Sequence, residues 1–99
     1  EVGYPSSPLN DSSPEKQAQF FSNVLGEIRQ QPGPYVFVNF FLMNDLPQWM
    51  VDDFGKYYRL ANSKRFAARL QTMGFFDARG EPKPSWEALK SGLARLKSE

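Results

Sequence analysis

The sequence predicts an α/β arrangement, a single buried strand flanked by helices and incomplete by itself. Tyr35-Val36-Phe37-Val38-Asn39-Phe40-Phe41-Leu42-Met43 is apolar or aromatic at eight of its nine positions. Gln31-Pro32-Gly33-Pro34 precedes this run and Asn44-Asp45-Leu46-Pro47 follows it. A short β-branched and aromatic run between breakers carries the signature of a strand rather than a helix. Helical patterns lie on either side of it, and the chain holds no second run of comparable quality. A near-continuous apolar strand belongs in a sheet covered on both faces, and a lone one leaves backbone donors and acceptors unpaired along both edges. The remaining sheet is therefore expected from elsewhere. The two faces of the run differ: Val36, Val38, Phe40 and Leu42 are wholly apolar, whereas the opposite face places Asn39 among Tyr35, Phe37, Phe41 and Met43. The apolar face is expected against helices, and the Asn39 face toward whatever the sheet encloses.

The other elements follow in chain order. Residues 1–13 are a polar loop rich in Ser, Pro and Asn. Ser12 with Glu15 fits a capping box, and Ser13 before Pro14 fits an N-cap with proline at the first helical position. The helix so opened spans residues 14–31, with Ala18, Phe21, Val24, Leu25 and Ile28 facing inward and Glu15, Lys16, Gln19 and Glu27 facing water. Residues 44–61 read as a long irregular loop on the active-site side, carrying Trp49, Phe54, Tyr57 and Tyr58. Loops of that length in compact domains are usually functional or disordered, and four aromatics argue against disorder. A short helix over 62–73, capped by Asn62 or Ser63, aligns Phe66, Leu70 and Met73, with Gly74 placed to end it. Asp77-Ala78-Arg79-Gly80 is a turn. A last helix over 84–97 opens at Pro84 and buries Trp86, Leu89, Leu93 and Leu96.

Composition narrows the chemistry. Ninety-nine residues make one small domain. Twelve basic against eleven acidic residues, formally +1, create no long-range field toward nucleic acid or anionic membrane. No apolar run is long enough to cross a bilayer, and Glu1-Val2-Gly3-Tyr4-Pro5 does not open a signal peptide. A mature secreted protein would look the same. With no cysteine and no histidine, disulfides, thiolate sites, the usual zinc constellations and Ser-His or Cys-His pairs fall away. Carboxylates are the acid–base chemistry that is left, and neither cofactor nor metal is expected.

Three segments in register carry a family resemblance. Glu1-Val2-Gly3-Tyr4-Pro5-Ser6-Ser7 resembles the segment that leaves the seventh strand in the (β/α)8-barrel glycoside hydrolases of the large retaining superfamily called clan A. Phe41-Leu42-Met43-Asn44-Asp45 occupies the place of the end of the eighth strand. Gly74-Phe75-Phe76-Asp77-Ala78-Arg79-Gly80-Glu81-Pro82-Lys83-Pro84-Ser85-Trp86 is similar to the segment leading into the eighth helix. The resemblance spans nearly the whole chain and implies the carboxyl-terminal fragment of a (β/α)8 TIM barrel, with residues 14–31 as helix seven, 35–43 as strand eight and 84–97 as helix eight. A full barrel takes about 250 residues. The resemblance further implies a retaining glycosidase acting on β-linked oligo- or polysaccharide, slightly favouring a secreted or periplasmic setting. Such enzymes hold two carboxyl groups roughly 5–5.5 Å apart. Glu1 matches the nucleophile, and the acid/base glutamate of the fourth strand has no counterpart in this chain. The expected partners are a carbohydrate substrate and either the rest of the barrel or a second copy joined through the exposed strand.

Each candidate has a plain reading beside the functional one. Glu1 is otherwise a solvated glutamate, and Tyr4 either reaches the carboxylate or half-packs on the surface. Phe41 stands where many members of the superfamily carry a tryptophan, and it serves as sugar platform or as core. Trp49 either stacks on a sugar ring or covers the barrel mouth. Asn39 is an interior amide or a substrate contact. Asp45, Asp52 and Asp53 match no calcium loop and read as solvated loop carboxylates. Asp53-Phe54-Gly55 repeats a kinase trigram without the rest of that machinery. Lys90, Arg95 and Lys97 suit the carboxyl end of their helix. Two alternatives stand beside the hydrolase: a non-catalytic carbohydrate-binding or self-associating module, and a degenerate barrel kept as a scaffold.

Overall fold

The protein is described by a computed structural model over residues 1–33 and 38–97. Its regular structure is helical: α1 (Pro14–Gln30), α2 (Gln48–Tyr57), α3 (Lys64–Gln71) and α4 (Pro84–Lys97), with a 3₁₀ turn at Pro8–Asn10. The α/β expectation is overturned, since among the described residues there is neither a strand nor a sheet, and only isolated bridges form. The part of the expected strand at Tyr35, Val36 and Phe37 lies outside the described residues.

The reason is visible at residues 38–44, which meet each neighbour at one residue only. Val2 donates its N–H to the Asn39 carbonyl at 2.7 Å and accepts from Phe41 N–H at 2.8 Å. That single parallel bridge, Val2 with Phe40, stops there: the next residues in register turn to other partners, the Tyr4 carbonyl to the Gln17 amide and the Ser6 N–H to the Thr72 carbonyl. A second parallel bridge joins Asn44 to Phe76. Its two bonds run from Phe76 N–H to the Met43 carbonyl, at 3.0 Å, and from Asp45 N–H to the Phe76 carbonyl, at 2.8 Å, and the Met43 carbonyl also takes the Phe75 N–H at 2.8 Å. The expected alternation of faces holds over the described residues, with Val38, Phe40 and Leu42 half-buried and Phe40 packed on the helical core, but the opposite face, Asn39, Phe41 and Met43, is exposed rather than enclosed by a sheet.

Helices α1, α3 and α4 start where local chemistry directs. The Ser13 hydroxyl accepts from Lys16 N–H at 3.1 Å with Pro14 at the first helical position, so Ser13 rather than Ser12 is the cap. The Ser63 hydroxyl accepts from Phe66 N–H at 3.1 Å and opens α3. Helix α2 corrects the loop expected at 44–61. It begins after Pro47 without a side-chain cap, and its inward face is a small one, Val51 and Gly55, which is why no long apolar stripe announced it.

α1 packs along α4, and α2 packs on α3. Phe21, Leu25, Phe75 and Leu89, each 5% exposed or less, form the core, with Tyr4, Phe20, Ile28, Phe40, Phe76, Trp86 and Leu96 around it. Phe75 is its aromatic centre, 4.6 Å from Phe21, 5.7 Å from Phe40 and 6.5 Å from Trp86 between ring centroids. Gly92 lets α4 approach Leu25 so closely that a side chain there would collide with it. Leu93, expected inside, is 40% exposed. The radius of gyration, 14.6 Å, exceeds the roughly 13 Å of a compact domain of this length, in keeping with the elongated extents of 46 × 27 × 22 Å.

Candidate functional site

The most functional-looking concavity lies at the α2–α3 end. It is a groove of about 400 Å³ lined by Glu1, Gly3, Phe41, Phe54, Tyr58, Phe66, Arg69, Leu70 and Met73. Three chain segments build it. The Val2–Phe40 bridge sets Glu1 beside Phe41, and Gly3 keeps that wall thin: a Cβ there would lie 3.1 Å from Phe41 Cβ and against the Met73 methyl. Helix α2 contributes Phe54 and the residue after it, Tyr58, whose rings stack at 6.4 Å with a 15° interplanar angle. Helix α3 contributes Phe66, Arg69 and Leu70, and Phe66 meets Tyr58 edge-on at 6.1 Å.

The α3 wall is anchored by a polar hub at its carboxyl end. The Thr72 carbonyl lies within hydrogen-bonding reach of Ser6 N–H (3.0 Å), Gln17 Nε2 (2.9 Å) and Lys83 Nζ (3.0 Å). An ammonium at this position also meets the negative end of the helix dipole. Gln17 is fully buried, and its Nε2 reaches the Tyr4 carbonyl as well, at 2.8 Å. Asp45 completes the hub: its Oδ1 accepts from Gly74 N–H at 2.8 Å and from Lys83 Nζ at 2.9 Å. Gly74 is required there by close approach rather than by a left-handed turn, since a Cβ would run into the Asn44–Asp45 backbone. The expected role of Gly74 as helix terminator passes to Thr72, the C-cap of α3.

Burial holds the Asp45 carboxyl above the ordinary carboxylate range, against the opposing pull of its bonds from Lys83 and Gly74. Asp77 is displaced the other way, mainly by the Glu81 N–H and also by the Arg79 N–H, both bonded to its Oδ1. Those bonds close the turn that puts Gly80 at φ 86° and delivers Lys83 to the hub. The expectation of solvated loop carboxylates therefore fails for Asp45, which is buried.

The sequence candidates divide between two places. Glu1 and Phe41 share the groove. Tyr4 is stacked on Phe20 at 4.6 Å and 21° in the fringe of the core, and Trp49 is 64% exposed on α2, outside the groove lining. Phe54, Tyr58, Phe66 and Arg69 are among the groove residues that sequence reasoning passed over as site candidates. Their signal was an aromatic pair at i, i+4, Phe54 and Tyr58, which shares a helix face once α2 is recognised. Glu1 is the one carboxylate among the lining residues, and no cluster of three or more acidic groups suited to a metal occurs among the described residues. No helix of the described residues is long and apolar enough to cross a membrane. No protein-family model, curated protein or solved structure matches this chain.

Proposed function

We propose that this chain supplies the sugar-binding surface and the nucleophilic carboxylate of a retaining glycoside hydrolase acting on β-linked oligo- or polysaccharide. The reading rests on the placement of Glu1 in a groove with Phe41, Phe54 and Tyr58 and on the resemblance of the segments around Glu1, Phe41 and Phe75 to that superfamily. It makes no use of a barrel. Aromatic rings present flat apolar faces to the C–H face of a pyranose, and a carboxylate beside such a platform is positioned to attack an anomeric carbon. In the double displacement Glu1 forms a glycosyl ester as the leaving oxygen takes a proton from a second carboxyl group, and water then releases the sugar. The groove holds a single carboxylate, so that second group comes from polypeptide beyond these 99 residues, and the chain alone binds glycan without turning it over.

The test separates nucleophile from acid. A 2,4-dinitrophenyl 2-deoxy-2-fluoro-β-glycoside has a leaving group that needs no protonation, so the nucleophile alone reacts. Intact mass and peptide mapping are expected to show one fluoroglycosyl group on Glu1 and none in Glu1→Ala. Absence of any adduct, or an adduct that survives Glu1→Ala, contradicts the assignment. The single carboxylate also favours a second reading, a non-catalytic carbohydrate-binding module. That reading is identified by oligosaccharide binding without labelling.

A further inference from the structure

We infer that the glycan taken by this groove is anionic, carrying uronate carboxyls or sulfate esters, and that Arg69 is the residue that selects for the charge. The inference rests on the sugar-binding reading and adds to it the chemical class of the ligand.

The chain as a whole is nearly neutral, but its charge is unevenly placed. Between Phe54 and Phe76 there are five cations, Lys56, Arg59, Lys64, Arg65 and Arg69, and no acidic residue. The rest of the chain carries seven basic against eleven acidic residues. This cationic block is the same stretch that turns from α2 into α3 and supplies six of the groove's lining residues: Phe54, Tyr58, Phe66, Arg69, Leu70 and Met73. Arg65 is partly engaged with Asp11, at 3.5 Å. Arg69, in contrast, lines the groove, and its guanidinium makes no hydrogen bond or ion pair to any described residue. Lys56 and Arg59 line a second depression at the α2–α3 turn, so cations continue from the groove along this end of the molecule.

An arginine beside aromatic rings is suited to a planar carboxylate or a sulfate, which its fork can bind through two parallel hydrogen bonds. A neutral sugar leaves that capacity to water. Aromatic and cationic surfaces also serve single-stranded nucleic acid. Glu1 argues against that occupant, because a phosphodiester in the groove would face a carboxylate. A glycan carries its charge on an exocyclic substituent, so the acidic group can meet Arg69 while the ring's uncharged anomeric side faces Glu1.

Calorimetric titration of the 99-residue chain tests the inference with four probes: cellohexaose, its C6-oxidised hexauronate, its 6-sulfated form and a thymidine oligonucleotide of matched length. The hexauronate, the sulfated probe or both are expected to bind at least about tenfold more tightly than cellohexaose, and whichever leads identifies the charged group. That preference should fall to within about threefold in Arg69→Gln, whose unchanged melting temperature checks the fold, and be partly kept in Arg69→Lys. Equal affinity for neutral and charged hexasaccharides overturns the anionic assignment and leaves the sugar-binding reading intact. Binding of no glycan overturns both. Tighter binding of the oligonucleotide than of any glycan transfers the surface to nucleic acid, and a charge preference unchanged in Arg69→Gln removes the role of Arg69.

Discussion

The two ends of this molecule spend their aromatic residues differently. At the α1–α4 end, Phe21 and Phe75 are each 1% exposed and interlock with Phe40 and Trp86. At the α2–α3 end, Trp49, Tyr57 and Tyr58 are 64, 78 and 56% exposed. Removing a large ring from water is worth a few kcal/mol, so the first set holds the fold together. The second set forgoes that stabilisation, and two of its members, Tyr57 and Tyr58, join Phe54 and Phe66 through ring contacts in an exposed aromatic patch of the kind that marks interaction sites. One end folds the chain and the other presents a surface, with the Thr72–Asp45–Lys83 hub joining them.

The sharpest way to break this comparison is to truncate one ring from each end. Phe21→Ala opens a cavity in the core and is expected to cost about 3–5 kcal/mol, whereas Tyr57→Ala should stay within about 0.5 kcal/mol. Urea denaturation followed by circular dichroism reads both. Comparable losses would mean that the exposed aromatics are structural after all.

The hub comes next in size. Asp45→Ala leaves the Lys83 ammonium and the Gly74 N–H without their carboxylate and is expected to destabilise by about 3 kcal/mol. Asp45→Asn keeps an acceptor oxygen and should cost clearly less. The same urea titration checks the order, and an Asn variant as damaged as the Ala variant would contradict it.

How much of this could be read from the chain follows the same division. Helices α1, α3 and α4 announced themselves through Ser13-Pro14, Ser63 and Pro84, because capping and apolar spacing are local properties. Residues 38–43 look like a strand in isolation, yet a strand exists only if neighbours run alongside it. Val2 and Phe76 each touch that segment once, which no local pattern encodes. Helix α2 stayed hidden because its buried face is only Val51 and Gly55. Asp45 looked like any loop carboxylate, since its partners Gly74 and Lys83 are 29 and 38 residues away in the chain. Gln17 was passed over in the same way, although it lies at i, i+4, i+8 with Phe21 and Leu25, where an amide in the stripe signals a buried polar role. Glu1 and Phe41 were legible as site candidates, while Arg69 became one only through the α2–α3 packing.

Acid titration distinguishes the two perturbed carboxylates by sign. Asp45, its pKa raised above 3.8 in the folded chain, holds its proton more tightly folded than unfolded. Its contribution to stability therefore grows as pH falls through the raised value and levels off below about 3.8. Asp77, lowered from 3.8, contributes stability above that value and loses it as pH falls through its folded pKa. Carboxyl carbon NMR should show Asp45 titrating above and Asp77 below 3.8. The reverse order would contradict the burial of one and the backbone bonding of the other.

The smallest expected effects are at the groove. Removing a stacking ring with Phe41→Ala or Tyr58→Ala should weaken binding of a β-linked hexasaccharide by about 1 kcal/mol, roughly fivefold, while Phe20→Ala should leave affinity unchanged among molecules that remain folded.

The division between a folding end and a binding end is tested most directly by a backbone amide NMR titration of the chain with that hexasaccharide and its acidic counterpart. The account predicts shifts confined to residues 1–3, 41, 54–58 and 66–73, with Phe21, Leu25 and Leu89 unmoved. Shifts centred on the α1–α4 face, or none with either ligand at saturating concentration, would contradict it.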